Sequence, residues 1–179
     1  MSRRCGGPVL IEPVEHGNLG LSAMFVDPEG ADFCVVDTYD FPGARVVEES
    51  SSPVWIELAV HDLAAERGFY GEVFGWRPVD RDYGALPYTE FKVGDESVAG
   101  MVAMDELRAA AEPSHWMPYV EVADCDAAAA RASELGARIQ VGPTTVEPGR
   151  YAVLADPTGA RLGIITPDPV VRRSFRTAP

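Results

Sequence analysis

The chain has 179 residues, of which 46% are hydrophobic and 24% charged, and its formal net charge is −13 at pH 7. This length and hydrophobic content suffice for a folded core, whereas the acidic charge would repel a phosphate backbone and argues against nucleic acid as a partner. The sequence shows neither a secretory signal nor an apolar run long enough to span a bilayer, so we expect a cytoplasmic protein with no membrane partner.

Residues 1–40 carry a strand–turn–strand phrase that recurs near the other end of the chain. The phrases "FVDPEGADFCVV" and "LADPTGARLGII" contain Asp27 and Asp156, which lie 129 residues apart. An echo of this kind indicates a duplicated unit. Because the second phrase is predicted to join the last two strands of a repeat, we expect residues 1–40 to be the final three strands of a preceding module. A linker rich in serine, glycine and proline then follows at 41–53.

Three strands without their helix would expose apolar surface and an unpaired edge, which soluble proteins normally cover. We therefore expect residues 1–40 to pack against the complete domain or against a second copy of the chain, which would give a homodimer. The alternative is that the chain is a shortened form of a two-domain protein.

The segment that begins at Trp55 predicts a strand followed by a helix. Ile56, Leu58 and Val60 alternate along "WIELAVHD" and form one apolar face of the strand. Asp62 has the position of a helix N-cap, and Gly75 is a suitable helix stop. Extended segments "LPYTEFKV" and "SVAGMVAM" follow the helix.

A second copy of this pattern begins at "MPYVEVADCDAAAARASELGARI". Asp124 lies 62 residues after the N-cap aspartate of the first copy, and Gly136 ends the alanine-rich helix. Three extended segments follow, with "DPTG" between the last two. Residues 54–168 thus predict two modules, each of one strand, one helix and about three strands, and residues 169–179 form a tail.

Paired βαβββ modules, with "VxD" before each helix and "DPxG" before the last strand, resemble the vicinal oxygen chelate superfamily of glyoxalases, bleomycin-resistance proteins and extradiol dioxygenases. The stretches "WIELAVHD", "FYGEVFGW", "YTEFKVGDESVAGM", "SHWMPYVEVADCDAAAA" and "VLADPTGARLGIITP" are most similar to its two-barrel, glyoxalase-like branch, often labelled hydroxylase. The resemblance implies an α+β fold in which two modules form a cupped, incomplete barrel, here preceded by a partial module. It also implies a small-molecule ligand in the cup and, for many members, an association with antibiotic biosynthesis.

The same resemblance implies where a metal would be held, namely near the start of each module's first strand and on each last strand. The matching positions are Trp55, Met117, Gly100 and Gly163. None of these side chains is a usual ligand for a divalent cation, for which histidine and carboxylate are expected. We therefore expect neither a metal nor another cofactor.

Strand alternation assigns the candidate site residues of the first strand of each module, from Trp55 to His61 and from Met117 to Glu121, to the face opposite the helix, and it leaves the face of Tyr151 open. This cup-facing set combines aromatic and thioether surface for a flat apolar ligand with carboxylates for proton transfer. The candidate catalytic residues are Glu57, Glu121 and Tyr119. The candidate ligand-binding residues are Trp55, His61, Tyr88, Glu90, Met117 and Tyr151. Periodicity alone does not fix which face of the strand at 86–92 lines the cup.

These features predict a metal-independent small-molecule protein that binds an aromatic or polyketide-like metabolite in a resistance or biosynthetic accessory role. One alternative is a cofactor-free isomerase, cyclase or lyase that uses the cup carboxylates. Another is a metal-dependent lyase or dioxygenase with unusual ligands, such as Glu57, His61 and Glu121. The sequence leaves open whether the protein is an enzyme.

Overall fold

The computed structural model of the protein describes residues 8–83, 87–104 and 112–169, so the predicted tail lies outside the described residues except for Pro169. Strands outnumber helices in these ranges, and the fold is α+β, as predicted. No helix within them is long and apolar enough to cross a membrane. In chain order the elements are β1 (Val9–Glu15), β2 (Gly20–Val26), β3 (Asp32–Thr38), β4 (Pro53–Val60), α1 (Leu63–Phe74), β5 (Arg77–Asp82), β6 (Pro87–Val93), β7 (Glu96–Ala103), β8 (His115–Glu121), α2 (Cys125–Glu134), β9 (Arg138–Val146), β10 (Gly149–Ala155) and β11 (Arg161–Pro167).

Strands β4 to β11 and the two helices form two βαβββ modules, as the sequence predicts. In the first module the strand order is β5-β6-β7-β4, and in the second it is β9-β10-β11-β8. The last strand of each module returns parallel to its first strand, which places Glu57 opposite Gly100 and Tyr119 opposite Gly163. Strand β5 has the sequence "RPVDRD", which lacks an alternating apolar pattern, so periodicity does not predict it.

Both helices begin and end where the sequence predicts. The Asp62 carboxylate accepts hydrogen bonds from the first-turn N–H groups of Ala64 and Ala65, at 2.8 and 3.2 Å. Asp124 does the same for the second helix through a 3.0 Å bond from the N–H of Ala127. Gly75 ends α1 in the left-handed conformation with φ of 69°, which costs glycine no steric strain.

The two "DPxG" turns have the same geometry, as the sequence echo indicates. The Asp27 carboxylate lies between β2 and β3 and accepts hydrogen bonds from the N–H groups of Glu29 and Ala31, at 3.1 and 2.8 Å. The Asp156 carboxylate lies between β10 and β11 and accepts the two matching bonds, at 2.8 and 2.9 Å. The glycines of the two turns have φ of 94° and 97°. The N-terminal strands therefore repeat the end of a module.

The described residues divide into two compact units. The first unit contains the residues up to Arg45 together with Glu57–Trp116, and the second contains Val46–Ile56 and the residues from Met117 onwards. In each unit the helix covers one face of its strands. The first core consists of Ala31, Leu58, Val60, Phe69, Tyr70, Phe91, Ala99 and Met101, and the second consists of Cys125, Ala129, Ala152, Leu154 and Ile164.

The three-stranded sheet β1-β2-β3 packs on α1 within the first unit. The Phe33 ring lies 5.9 Å from Phe69, 5.8 Å from Tyr70 and 5.9 Å from Phe74, measured between ring centroids. Each ring pair is edge-to-face, a favourable aromatic arrangement. The remaining surface of this sheet is still apolar, because Val9, Leu10, Ile11, Val14, Val35 and Val36 are exposed.

Replacing Phe33 by alanine tests this packing. Because the ring contacts three aromatic side chains of α1, we expect Phe33→Ala to lower the free energy of unfolding by about 3 kcal/mol. Urea unfolding measures this change. Val36→Ala on the same strand is the matched control, since Val36 is 46% exposed, and we expect its cost to stay below about 1 kcal/mol. Equal losses in the two variants would contradict the packing.

Candidate functional site

The first unit places a row of acidic side chains on the face opposite α1. Leu58 and Val60 lie in the helix-side core, so Glu57, which directly precedes Leu58, points to the other face. The register of β6, β7 and β4 aligns Glu90, Gly100 and Glu57 in one row. Both glutamates are 9% exposed.

The burial of Phe91 shows which face of strand β6 lies opposite α1. Phe91 lies in the helix-side core, and residues that alternate with it along the strand point the other way. Tyr88 and Glu90 therefore share a face with Glu57. Periodicity could not decide this, because the aromatic residues Tyr88 and Phe91 lie on opposite faces of the same strand.

Glu90 is held by three donors. Its carboxylate accepts hydrogen bonds from Arg81 at 2.9 Å, Tyr83 at 2.6 Å and Ser97 at 2.9 Å. Burial acts to raise the pKa of Glu90, but the bonds from Arg81, Tyr83 and Ser97 outweigh it and hold the pKa below its usual range. Glu90 is thus a fixed negative charge rather than a proton donor. No local sequence pattern indicates these three donors, because Arg81 and Tyr83 reach Glu90 from β5 and its end and Ser97 reaches it from β7.

His61 lies at the end of β4 and is exposed. Its Nε2 atom lies 3.1 Å from the main-chain carbonyl oxygen of Glu112, and its backbone N–H donates to Glu29 at 2.8 Å. The imidazole thus contacts the segment that precedes β8. Its predicted role as a ligand contact stays a prediction.

The second unit places a cluster of aromatic and apolar side chains on the face opposite α2, which we call the aromatic face. Met117, Tyr119 and Val153 in this cluster are buried. Its centre is the pair Tyr119 and Tyr151, whose ring centroids lie 6.4 Å apart at 56°. The aromatic face consists of Val54, Trp55, Met117, Tyr119, Val141, Tyr151, Val153 and Ile165. Three of the predicted ligand-binding residues (Trp55, Met117 and Tyr151) and the predicted catalytic residue Tyr119 are therefore brought together.

Gly163 determines where the Tyr119 ring lies. The ring covers Gly163 so closely that a Cβ atom at this position would overlap its carbon atoms. Tyr119 and Gly163 are also direct partners in the parallel pairing of β8 with β11. The absence of a side chain at Gly163 on β11 thus provides the space that the ring occupies.

Glu121 follows on the same face of β8 and is 3% exposed. The backbone of Glu121 makes two hydrogen bonds at the end of β8. Its carbonyl oxygen accepts from the N–H of Ser51 at 2.7 Å, and its N–H donates to the carbonyl oxygen of Ser52 at 3.0 Å. The end of the predicted linker is therefore hydrogen-bonded to β8. The structure places the third predicted catalytic residue beside the aromatic face as a buried carboxylate.

The four positions at which the family resemblance would place metal ligands do not fit a divalent cation. Gly100 and Gly163 offer no side chain, and the space above Gly163 is filled by the Tyr119 ring. Met117 is 1% exposed and packs with Trp55 in the aromatic face. Within the described ranges, no group of three or more histidine, cysteine or acidic side chains is arranged to hold a metal ion.

Comparison with known proteins identifies the family. The sequence profile of the glyoxalase/bleomycin resistance protein/dioxygenase superfamily matches residues 52–164. The chain belongs to this superfamily. The match covers both βαβββ modules except for the last residues of β11.

Two curated relatives and one solved structure extend the comparison. The anthracycline biosynthesis protein DauV of Streptomyces sp. (strain C5) is 35% identical over 89% of this chain and 58% of its own length. The putative glyoxylase CFP32 of Mycobacterium bovis is 31% identical over 92% of this chain and 62% of its own. The chain thus spans about three fifths of the length of these relatives. The 2,2',3-trihydroxybiphenyl 1,2-dioxygenase of Sphingomonas wittichii strain RW1 is 13% identical with a TM-score of 0.59 over 92% of this chain and 63% of that chain, a likeness of fold alone.

Substitution of Gly163 by alanine tests the position of the Tyr119 ring. The added methyl group would overlap the ring, so we expect Gly163→Ala to destabilise the protein by about 1–3 kcal/mol and to change the near-ultraviolet circular dichroism of the tyrosines. Combining it with Tyr119→Ala removes the overlap, so the double variant should lose less stability than the sum of the single variants.

Gly142→Ala is the matched control for this substitution. Gly142 also lies in a strand of the second unit, and a Cβ atom there would meet nothing within 4 Å. We expect its stability to stay within about 0.5 kcal/mol of the wild type. Additive losses in the double variant, or equal losses in the two glycine variants, would show that the ring does not lie on Gly163.

Proposed function

We propose that the protein is a metal-independent small-molecule-binding member of the superfamily and that its aromatic face holds a flat aromatic or polyketide-like metabolite. The observation that carries this proposal is the Tyr119 ring lying over Gly163 beside Tyr151. Aromatic rings held in place by a strand offer a large apolar surface at small entropic cost, and stacked ring pairs gain about 0.5–1.5 kcal/mol beyond burial. Trp55 and the buried Met117 pack in the same cluster.

The relatives support a biosynthetic accessory role for this binding, and the alternative within the proposal is a role in resistance. DauV is named for anthracycline biosynthesis, and fused aromatic rings are the kind of ligand that a flat aromatic surface suits. Because the chain spans 58% of that relative, its role is extended to this chain only as part of the proposal. We further propose a cytoplasmic homodimer, in which a second copy covers the exposed apolar side chains of β1 and β3.

A second candidate function is acid–base catalysis without a cofactor. It is favoured by two buried carboxylates, Glu57 at 9% and Glu121 at 3% exposure, each on the first strand of its module and on the face opposite the helix. A buried carboxylate next to a bound ligand is suited to move a proton. Tyr119 would supply a hydroxyl group on the same strand as Glu121.

Binding of a planar probe tests the first proposal. We expect 1,8-dihydroxyanthraquinone to quench the tyrosine and tryptophan fluorescence of the protein, with the same dissociation constant with and without a metal chelator. Tyr151→Ala should weaken binding about tenfold, because it removes about 1.4 kcal/mol of ring contact. Tyr39→Ala is the control, since Tyr39 is 53% exposed on the first unit. Equal weakening by both substitutions, or loss of binding with chelator, would overturn the proposal.

Glutamine substitutions separate binding from catalysis. If the protein only binds its ligand, Glu57→Gln and Glu121→Gln should leave the affinity for the probe within about threefold of the wild type, because stacking needs no proton transfer. If it catalyses proton transfer, the wild type should accelerate deuterium exchange into a phenolic polyketide in D₂O, and one of the two variants should slow this exchange by about 100-fold or more. Proton NMR measures the exchange.

A further inference from the structure

Three carboxylates meet where the β1-β2-β3 sheet docks on α1, inside the first unit. Asp27 and Glu29 belong to the turn between β2 and β3, and Glu66 lies in the first turn of α1. Asp27 is 2% exposed and Glu66 is fully buried. Like charges at such a site repel one another and lack the stabilisation of water.

Two of these carboxylates make the hydrogen bonds that join the sheet to the first module. Glu29 accepts from the backbone N–H groups of His61 and Asp62 at 2.8 and 2.7 Å and from the Ser114 hydroxyl at 2.7 Å. It thus satisfies N–H groups at the start of α1. Asp27 accepts a 3.0 Å hydrogen bond from the Tyr70 hydroxyl. Both carboxyl groups are therefore supplied with hydrogen-bond donors, and at Asp27 burial outweighs these donors and raises the pKa above its usual range.

Glu66 is different. Its Oε1 atom accepts a hydrogen bond from the backbone N–H of Glu29 at 3.2 Å, whereas its Oε2 atom is buried and has no hydrogen-bond partner among the described residues. A buried carboxylate oxygen without a donor is costly, and protonation of the group removes this cost.

We propose that docking of the β1-β2-β3 sheet on α1 is coupled to a proton on Glu66, so that the contact loosens when this side chain ionises. The titratable groups that face Glu66 are Asp27 and Glu29 from the turn and Tyr70 from its own helix. Apolar side chains, among them Ala31 and Phe33, pack in the core beside α1, and the buried Ser114 hydroxyl donates to Glu29. Ionisation would therefore place a third negative charge in an apolar interface beside Asp27 and Glu29.

The pH dependence follows from the pKa of Glu66. Burial, followed by the charges of Asp27 and Glu29, raises the pKa from its ordinary value of 4.5 to about 8. The docked state therefore retains a proton that the undocked state releases. Docking is strongest below about pH 4.5, weakens by up to tenfold for each pH unit above it, and weakens no further above about pH 8.

Amide hydrogen exchange of β3 measures the docking. With exchange rates corrected for the intrinsic effect of pH, we expect the protection factors of the wild type to fall by up to tenfold per unit between pH 5.5 and 8. In Glu66→Gln they should change less than threefold over this range, because glutamine is neutral and carries its own donor. Glu72→Gln is the matched control, since Glu72 lies exposed on the same helix, and it should retain the wild-type fall.

A fall in Glu66→Gln that parallels the wild type would overturn the proposal. If this variant does not fold, carbon-13 NMR of the wild type decides instead, with the side-chain carboxyl of Glu66 assigned through its own spin system. A titration midpoint near pH 8 supports the proposal, and a midpoint below pH 6 overturns it.

Discussion

The candidate site depends on one constraint, which is that a single helix covers one face of the four strands in each module. Because side chains alternate along a strand, this cover fixes the direction of each strand residue. Leu58 and Val60 lie under α1, which turns Glu57 to the other face. Ala152 and Leu154 lie under α2, which turns Tyr151 and Val153 to the other face. The side chains on the face opposite the helix are thus separate from the helix-side core.

The side chains on the face opposite the helix differ between the two units. In the first unit this face carries carboxylates, and the ion pair with Arg81 fixes Glu90 as a charged group. In the second unit it carries rings, and the tyrosine on β8 occupies the space that Gly163 leaves on β11. The positions at which the superfamily resemblance implies metal ligands thus carry glycines or apolar residues. This is why we place the proposed ligand on the rings and do not invoke a metal.

Local features were predictable from the sequence, and long-range contacts were not. The caps at Asp62 and Asp124 and the two "DPxG" turns depend on neighbouring residues, and the structure confirms them. The three donors to Glu90 come from residues on either side of β6 whose approach depends on strand pairing, and the contact of Phe33 with α1 joins distant segments, so no spacing indicates them. The burial of Glu66 is a further example, since glutamate in a first helical turn normally faces solvent and favours the helix dipole.

The central claim is that this member of the superfamily handles a small molecule on an aromatic face without a metal. Native mass spectrometry and elemental analysis of one preparation, purified without chelator, test it most directly. We expect less than about one tenth of an equivalent of any divalent metal per chain. We also expect an added anthraquinone to be retained at about one molecule per chain. One equivalent of metal per chain, lost together with the bound anthraquinone on chelation, would contradict it.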